Sequence, residues 1–319
     1  MVRFHLPFIS RRIFLIILIP VFVIVGLFVL FFSAPYNFPR GIVVTVVDGA
    51  SIAEVATLLS SKHIVRSPQT LEYLIRFSGV AIAGDYIFPQ AQNVIAVALR
   101  LAKGQYGIIP IKVMIPEGAT TYNIAALIAQ LVPNFDTKSF ITKAQSREGY
   151  LFPDTYYFQP TWGGDQMIEI MAKQFETKTK PLVSFLNRSG RTWEQVVIMA
   201  SLLEREAHTT LDRQMIAGVL WKRLDQGMPL QVDAVFPYIV GKNTFEVSRA
   251  DLATSSPYNT YRYRGLPIGP IANPGLDALT AALTPVESNF LFYLSDQAGV
   301  FHYAADFAEH KRNRAKYLP

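Results

Sequence analysis

Ala200-Ser201-Leu202-Leu203-Glu204-Arg205-Glu206-Ala207-His208 continues, without a break, the wholly apolar run Val196-Val197-Ile198-Met199. The pattern predicts one helix over Trp193 to His208 that runs through a core and acquires two carboxylates in its last turns. Side chains three and four apart share a helix face. Glu206 therefore sits over Leu202 and Leu203, with Met199 one turn further back, while Glu204 sits over Ala200 and Ser201. The two acids are about 200° apart around the axis, so they are not a cooperating pair. A carboxylate above an apolar face is poorly solvated when charged, which raises its pKa toward the range a general acid needs near neutral pH. The competing reading is a structural ion pair of Glu206 with Arg213 or Arg205. Residue types alone leave both open.

Downstream, Asp212 to Gln226 reads as a further helix with Ile216, Val219, Leu220 and Leu224 on its inner face. Then the chain changes character. Gly227 to Pro274 is long, irregular and full of polar-aromatic clusters, among them Gln231-Val232-Asp233 and Ser256-Pro257-Tyr258-Asn259-Thr260-Tyr261. A loop of that length is functional or disordered, and its aromatic content argues against disorder. Leu276 to Ala282 reads as a helix, Phe290 to Leu294 and Val300 to Tyr303 as a strand pair, and Asp306 to Tyr317 as a closing helix.

Upstream, Gln166 to Asn187 reads as a long amphipathic helix. Before it, Glu148-Gly149-Tyr150-Leu151-Phe152-Pro153-Asp154-Thr155-Tyr156-Tyr157-Phe158 packs rings beside carboxylates. Such a segment is either an aromatic core piece with a Pro-Asp turn or part of a sugar site, where rings stack on pyranose faces and acids accept from hydroxyls. Pro116-Glu117-Gly118 is a turn, and Thr120 or Thr121 caps a helix to Leu131, followed by a short one ending near Ala144.

Earlier still, Gly41 to Val47 is β-branched and reads as a strand, and Ser51 with Glu54 forms a capping box for a helix to Lys62. A second helix is expected near Ser67 to Phe77 and a strand near Gly84 to Phe88. Val94 to Ala102 follows as a helix and Ile108 to Ile115 as a strand. Strand–helix–helix–strand within such a short span describes a small α+β module, 34–108, whose layout resembles LysM domains. It is either a spacer or a glycan-binding module.

Ile13 to Phe32 is an unbroken apolar run of a length that spans roughly 30 Å as a helix, about a bilayer core. A cleaved signal would be shorter and end in a small-x-small site, which Ser33-Ala34-Pro35 is not. An uncleaved anchor, 13–33, is expected, with Arg3, Arg11 and Arg12 holding residues 1–12 in the cytoplasm and the remainder in the periplasm or wall space of a bacterium. That placement excludes ATP-driven and cytosolic chemistry.

The composition sets further bounds. The chain has 319 residues, half of them hydrophobic, and no cysteine, which removes disulfides, thiol nucleophiles and Cys-based metal sites. The five histidines lack a zinc-ligand spacing. The net charge of +6 is partly local to the N-terminus, and no Lys/Arg block interleaved with aromatics supports nucleic-acid binding.

Glu204-Arg205-Glu206 on its helix resembles the Glu-Lys/Arg-Glu signature of the YceG-like family, the MltG endolytic murein (lytic) transglycosylases. Gly84-Asp85-Tyr86-Ile87-Phe88, Pro116-Glu117-Gly118, Phe152-Pro153-Asp154-Thr155, Ala200-Ser201, Arg223-Leu224, Gly227-Met228, Leu230-Gln231 with Asp233, Tyr258-Asn259-Thr260-Tyr261, Gly265-Leu266-Pro267 with Gly269 and Ile271, and His302 follow in family order. The chain departs from the family pattern at Lys222, at Ala234-Val235-Phe236-Pro237 with Tyr238 before Gly241, and at His302-Tyr303-Ala304.

The resemblance implies an α+β protein: a single transmembrane helix, the LysM-like module, then a mixed catalytic domain over 109–319. It implies that Glu206 is the catalytic acid of a cofactor-free, metal-free enzyme. That enzyme cleaves the MurNAc–GlcNAc β-1,4 bond of nascent peptidoglycan, leaves 1,6-anhydro-MurNAc ends and limits strand length. Gln231, Asp233, Tyr258, Asn259 and Tyr261 are expected to line the glycan cleft, with Asp233 or Asp154 available as a second acid should the enzyme hydrolyse. Expected partners are glycan strands, the inner membrane and peptidoglycan synthases. Two alternatives stand beside this reading. One is a membrane-tethered, non-catalytic peptidoglycan-binding protein with an ion-paired Glu206. The other is a metal hydrolase using Glu206, His208 and His302.

Overall fold

The computed structural model describes residues 11–242 and 246–318, with side chains from Pro20 onward. The chain divides into two compact units, Met1–Ile109 and Pro110–Pro319. Both mix helices with short strands, the α+β class expected. Every sheet among the described residues is a two-stranded antiparallel pair.

The first unit opens with helix α1 (Arg11–Phe32), which contains the apolar run and Pro20. The expected span Ile13 to Phe32 is only partly open to description: the side chains before Pro20, and residues 1–10 of the segment expected in the cytoplasm, lie outside the described residues. The part of the helix with described side chains, 20–32, reaches about 20 Å. No helix among the described residues is long and apolar enough to cross a membrane.

Strand β1 (Val43–Val46) follows, then α2 (Ile52–Ser61), α3 (Pro68–Ser78), β2 (Gly84–Ile87) and α4 (Val94–Lys103). The Ser51 hydroxyl accepts from Glu54 N–H while the Glu54 carboxylate accepts from Ser51 N–H, so the capping box starts α2 where the sequence placed it. Ser67 caps α3, and Pro68 occupies its first turn, where a missing N–H costs nothing. β1 and β2 pair antiparallel, Val43 opposite Ile87. Their inner faces and the two intervening helices close on Leu59, Ile64, Leu71, Ile75, Tyr86, Phe88 and Leu101, all fully buried.

The second unit has two cores. In the first, β3 (Ile111–Met114) pairs antiparallel with β4 (Thr155–Phe158), and α5 (Thr121–Leu131), α6 (Thr137–Ala144) and α7 (Gly164–Thr179) cover them. β4 lies inside the aromatic run: Tyr156 and Phe158 point into this core, Tyr157 to solvent, the period of a strand. The single helix expected over Gln166 to Asn187 is instead α7, a tight turn at Lys180–Leu182 and α8 (Val183–Ser189). Pro181 is the reason, because it has no N–H to donate and restricts the residue before it.

The second core is built on α9 (Trp193–Glu206), α10 (Thr210–Asp225) and α13 (Leu276–Leu283). Every residue of α9 from Val196 to Glu204 is buried, as an all-round apolar helix requires. α9 stops at Glu206 rather than His208, since Ala207 turns extended and Thr209 caps α10. Between α10 and α13 the long loop is less irregular than expected: it carries α11 (Val235–Val240) and α12 (Arg249–Leu252). β5 (Phe292–Ser295) and β6 (Phe301–Ala304) form the expected hairpin, and α14 (Phe307–Tyr317) closes the chain.

A buried polar knot ties three distant segments of this unit. The Asn273 side chain, with no exposed surface, accepts from Leu151 N–H at 2.9 Å and donates to Ala119 carbonyl and Glu148 Oε1, each at 2.9 Å. Glu148 also accepts from Thr121 N–H at the start of α5.

Candidate active site

The two carboxylates of the opening stretch have opposite fates. Glu204 faces inward. Its Oε1 accepts from Arg213 Nη2 at 2.6 Å and its Oε2 from Gly275 N–H at 2.8 Å. Arg213, itself buried, also binds Asp277 at 2.5 Å and donates Nε–H to Ala207 carbonyl. The cluster locks the ends of α9, α10 and α13 together. Arg213, the cation set against Glu206 in the ion-pair reading, is thus committed to Glu204.

Glu206 has no cation partner among the described residues. Its Oε1 accepts from Ala234 N–H at 3.2 Å, and its Oε2 accepts from the Tyr293 hydroxyl at 3.1 Å. Burial of the carboxyl pushes its pKa up from 4.5 to about 7; the Asp233 charge adds to the rise, while the two hydrogen bonds oppose it. The side chain is nonetheless only half-buried, so a reactant can reach it. Tyr293, on β5, is desolvated and next to Glu206, both of which hold its hydroxyl well above the ordinary tyrosine range and keep it a donor. A carboxyl poised near neutrality, open on one side and held by two neutral donors, can give a proton and take one back.

The loop residues expected in the cleft divide. Asp233 lies next to Ala234 and accepts from the Tyr261 hydroxyl at 2.5 Å, which places both beside Glu206. Tyr258 packs its ring on Tyr238, centroids 5.0 Å apart, and is half-buried. Gln231 takes a left-handed conformation, φ 54°, and its side chain accepts from Arg223 Nη2 at 2.7 Å. Asn259 does not line a cleft. It is 1% exposed, and its side chain donates to the Leu252 and Thr254 carbonyls and accepts from Tyr261 N–H. It braces the loop that presents the two tyrosines.

The other candidates fall elsewhere. Asp154 is held by Gln174, its own Thr155 N–H and Lys178, which keep its pKa below the ordinary range. His302 pairs with Asp296 at 2.8 Å and stacks on Tyr317, so it is not brought to Glu206. Among the described residues no group of three or more His, Asp or Glu is placed to hold a metal ion.

Three contributors carry no local signature in the sequence. Ala234 acts through its backbone. Tyr293 reads as an ordinary strand tyrosine. Arg223, buried, donates to Pro229 carbonyl and Gln231 and lies near enough to Tyr293 and Tyr261 to bias both electrostatically. Its place in the Arg223-Leu224 pair was the one available hint.

The chain is similar to known proteins over most of its length. The model of the YceG-like family matches residues 44–316, across both units. An endolytic murein transglycosylase of Bacillus subtilis is 30% identical over 86% of this chain and 84% of its own length. One of Streptococcus pneumoniae is 27% identical over 88% of this chain, which spans 59% of that longer protein. The crystal structure of a yceG-like protein from Listeria monocytogenes aligns with TM-score 0.58 at 28% identity, covering 86% of this chain and 99% of that one. With a buried helix ending in Glu204-Arg205-Glu206, a neutral-range Glu206 and this extent of match, the chain belongs to the YceG-like family.

Proposed function

We propose that this protein is a murein lytic transglycosylase with Glu206 as its acid and base. The observation that carries the reading is the Glu206 carboxyl itself, shifted to about 7 by burial and held by Ala234 and Tyr293. The relatives' shared designation supports the substrate, a glycan strand of murein. In the proposed reaction, protonated Glu206 donates its proton to the glycosidic oxygen as the MurNAc C1–O4 bond to GlcNAc breaks. The carboxylate left behind removes the proton from the MurNAc C6 hydroxyl, whose oxygen bonds to C1. The 1,6-anhydro ring closes without water, and Glu206 ends protonated. One carboxyl suffices because the nucleophile belongs to the substrate.

The product decides between lyase and hydrolase. A hydrolase would use Asp233, whose charge helps to raise the Glu206 pKa, to activate water. The full chain in detergent, incubated with uncrosslinked glycan strands, should release fragments ending in anhydro-MurNAc, read by mass spectrometry. Reducing MurNAc ends instead would establish hydrolysis, and uncut strands that remain bound would favour a non-catalytic binding protein.

The pH profile tests the acid. Activity should fall as pH rises through about 7, where Glu206 loses its proton in the resting enzyme. The Tyr293 hydroxyl favours the ionised form, so Tyr293→Phe should move that alkaline limb upward by roughly half to one pH unit, the equivalent of one modest hydrogen bond. A limb that stays put or moves down would remove Tyr293 from the site.

The same proposal places the chain in the bacterial inner membrane. The described side chains of α1 from Val21 to Phe31 are apolar and exposed, which supports an anchor continuing through the apolar run before them. The βααβ order of the first unit supports a LysM-like module carried outside the membrane, ahead of the catalytic unit and within reach of nascent strands and their synthases.

A further inference from the structure

Arg205 stands between the two carboxylates and partners neither. Glu204 is taken by Arg213, Glu206 by Ala234 and Tyr293, and the Arg205 guanidinium has no ion pair or hydrogen bond among the described residues. The side chain is exposed and lies beside the Pro116-Glu117-Gly118 turn: a Cβ placed on Gly118, whose φ is +74°, would lie 3.5 Å from Arg205 Cδ and 3.9 Å from a terminal nitrogen.

Arg205 opens into a cavity of about 390 Å³ that it lines with Tyr122, Asn123, Ala234 and Tyr238. One of these walls is shared with the acid: Ala234 donates its N–H to Glu206. Tyr238 packs on Tyr258, one of the residues expected in the glycan cleft. The cavity therefore adjoins the candidate active site at Ala234 without containing the acid. An unpaired guanidinium lining a cavity together with two tyrosines and an asparagine is a receptor for a planar carboxylate, which it can meet with two parallel hydrogen bonds. The sugar hydroxyls of a murein strand are neutral. Its carboxylates belong to the peptides carried on the muramic lactyl groups.

Resting on the transglycosylase reading above, we propose that the Arg205 cavity binds a carboxylate of the stem peptide next to the scissile bond, and so selects peptide-bearing strands. Arg205 is then a specificity residue one position from the acid, facing the substituent rather than the reacting bond.

The test uses the full chain in detergent and three uncrosslinked substrates: strands with stem peptides, the same strands with peptide carboxylates converted to amides, and strands stripped of peptide, which expose a lactyl carboxylate instead. For Arg205→Gln, kcat/KM on peptide-bearing strands should fall about tenfold or more, mainly through KM. The preference of the wild type for peptide-bearing over amidated strands should collapse toward one in the variant. An equal loss on all three substrates, a loss largest on stripped strands, or no loss would each overturn the proposal.

A second measurement does not depend on cleavage. Nuclear magnetic resonance titration of the isolated stem peptide should show saturable binding to the wild type that Arg205→Gln weakens by a similar factor. Binding with this dependence, but no strand cleavage, would sink the transglycosylase reading and leave the peptide site standing. Normal cleavage with no peptide binding would do the reverse.

Discussion

Glu206→Gln should reduce strand cleavage about a thousandfold or more while making the folded protein more stable at neutral pH. The rate falls because an amide has no proton to give at pH 7 and no basic oxygen with which to take one back. The geometry survives: the amide oxygen can accept from Ala234 N–H, and the amide N–H can donate to Tyr293, whose hydroxyl turns to accept. Stability moves the other way. Glu206 titrates at about 7 in the folded protein against 4.5 when free of it. Its contribution is fully present below about 4.5 and is lost as pH rises to about 7, because the unfolded chain releases the proton first. Gln removes that loss. The variant and the wild type should melt alike near pH 4 and diverge up to pH 7, with a gain of about 1–3 kcal/mol above it. Circular-dichroism melts across that range measure it. A variant that is inactive but not stabilised would mean that Glu206 titrates as an ordinary surface acid.

Arg213→Ala should cost about 3–5 kcal/mol of stability, since it leaves the Glu204 carboxylate buried without its cation. Glu204 and Arg213 side chains are 5% and 8% exposed, so little water reaches the carboxylate that the arginine neutralises. Urea midpoints read the loss. The double variant Glu204→Leu, Arg213→Met should be more stable than Arg213→Ala, because it removes the stranded charge as well as its partner. If the double variant were the worse of the two, the pair would be contributing net attraction rather than mutual neutralisation. Activity should fall in Arg213→Ala even under native conditions, as the last turn of α9 loses its anchor and Glu206 with it.

Much of the framework is readable in the residues because it is local. Ser51 with Glu54 and Pro68 after Ser67 set their boundaries through capping and a missing donor, and the all-apolar run of α9 marks a helix buried all round. The break at Pro181 was missed in the reading of one helix from Gln166 to Asn187, although a proline inside a helical pattern is a physical objection to it. The separation of Glu204 from Glu206 follows from face arithmetic, yet which of them faces a cation does not. That depends on where Arg213 arrives, one helix later. Tyr293 and the Ala234 N–H lay beyond any reading of spacing, because a backbone amide carries no side-chain signature and a strand tyrosine looks like packing. Asn259 misled for the opposite reason. It sits among aromatic residues that line the site, but its amide is consumed by the loop's own carbonyls.

The two donors that hold Glu206 come from residues 28 and 87 positions further along the chain. Such contacts form late, since distant segments must close their loops before any local gain rewards them. Until the surrounding segments have packed over it, Glu206 is a solvated carboxylate with an ordinary acidity and no proton to deliver at pH 7. On the transglycosylase reading, the chain is thereby inert until folding is complete, because its acid is made by segments that meet only in the finished fold.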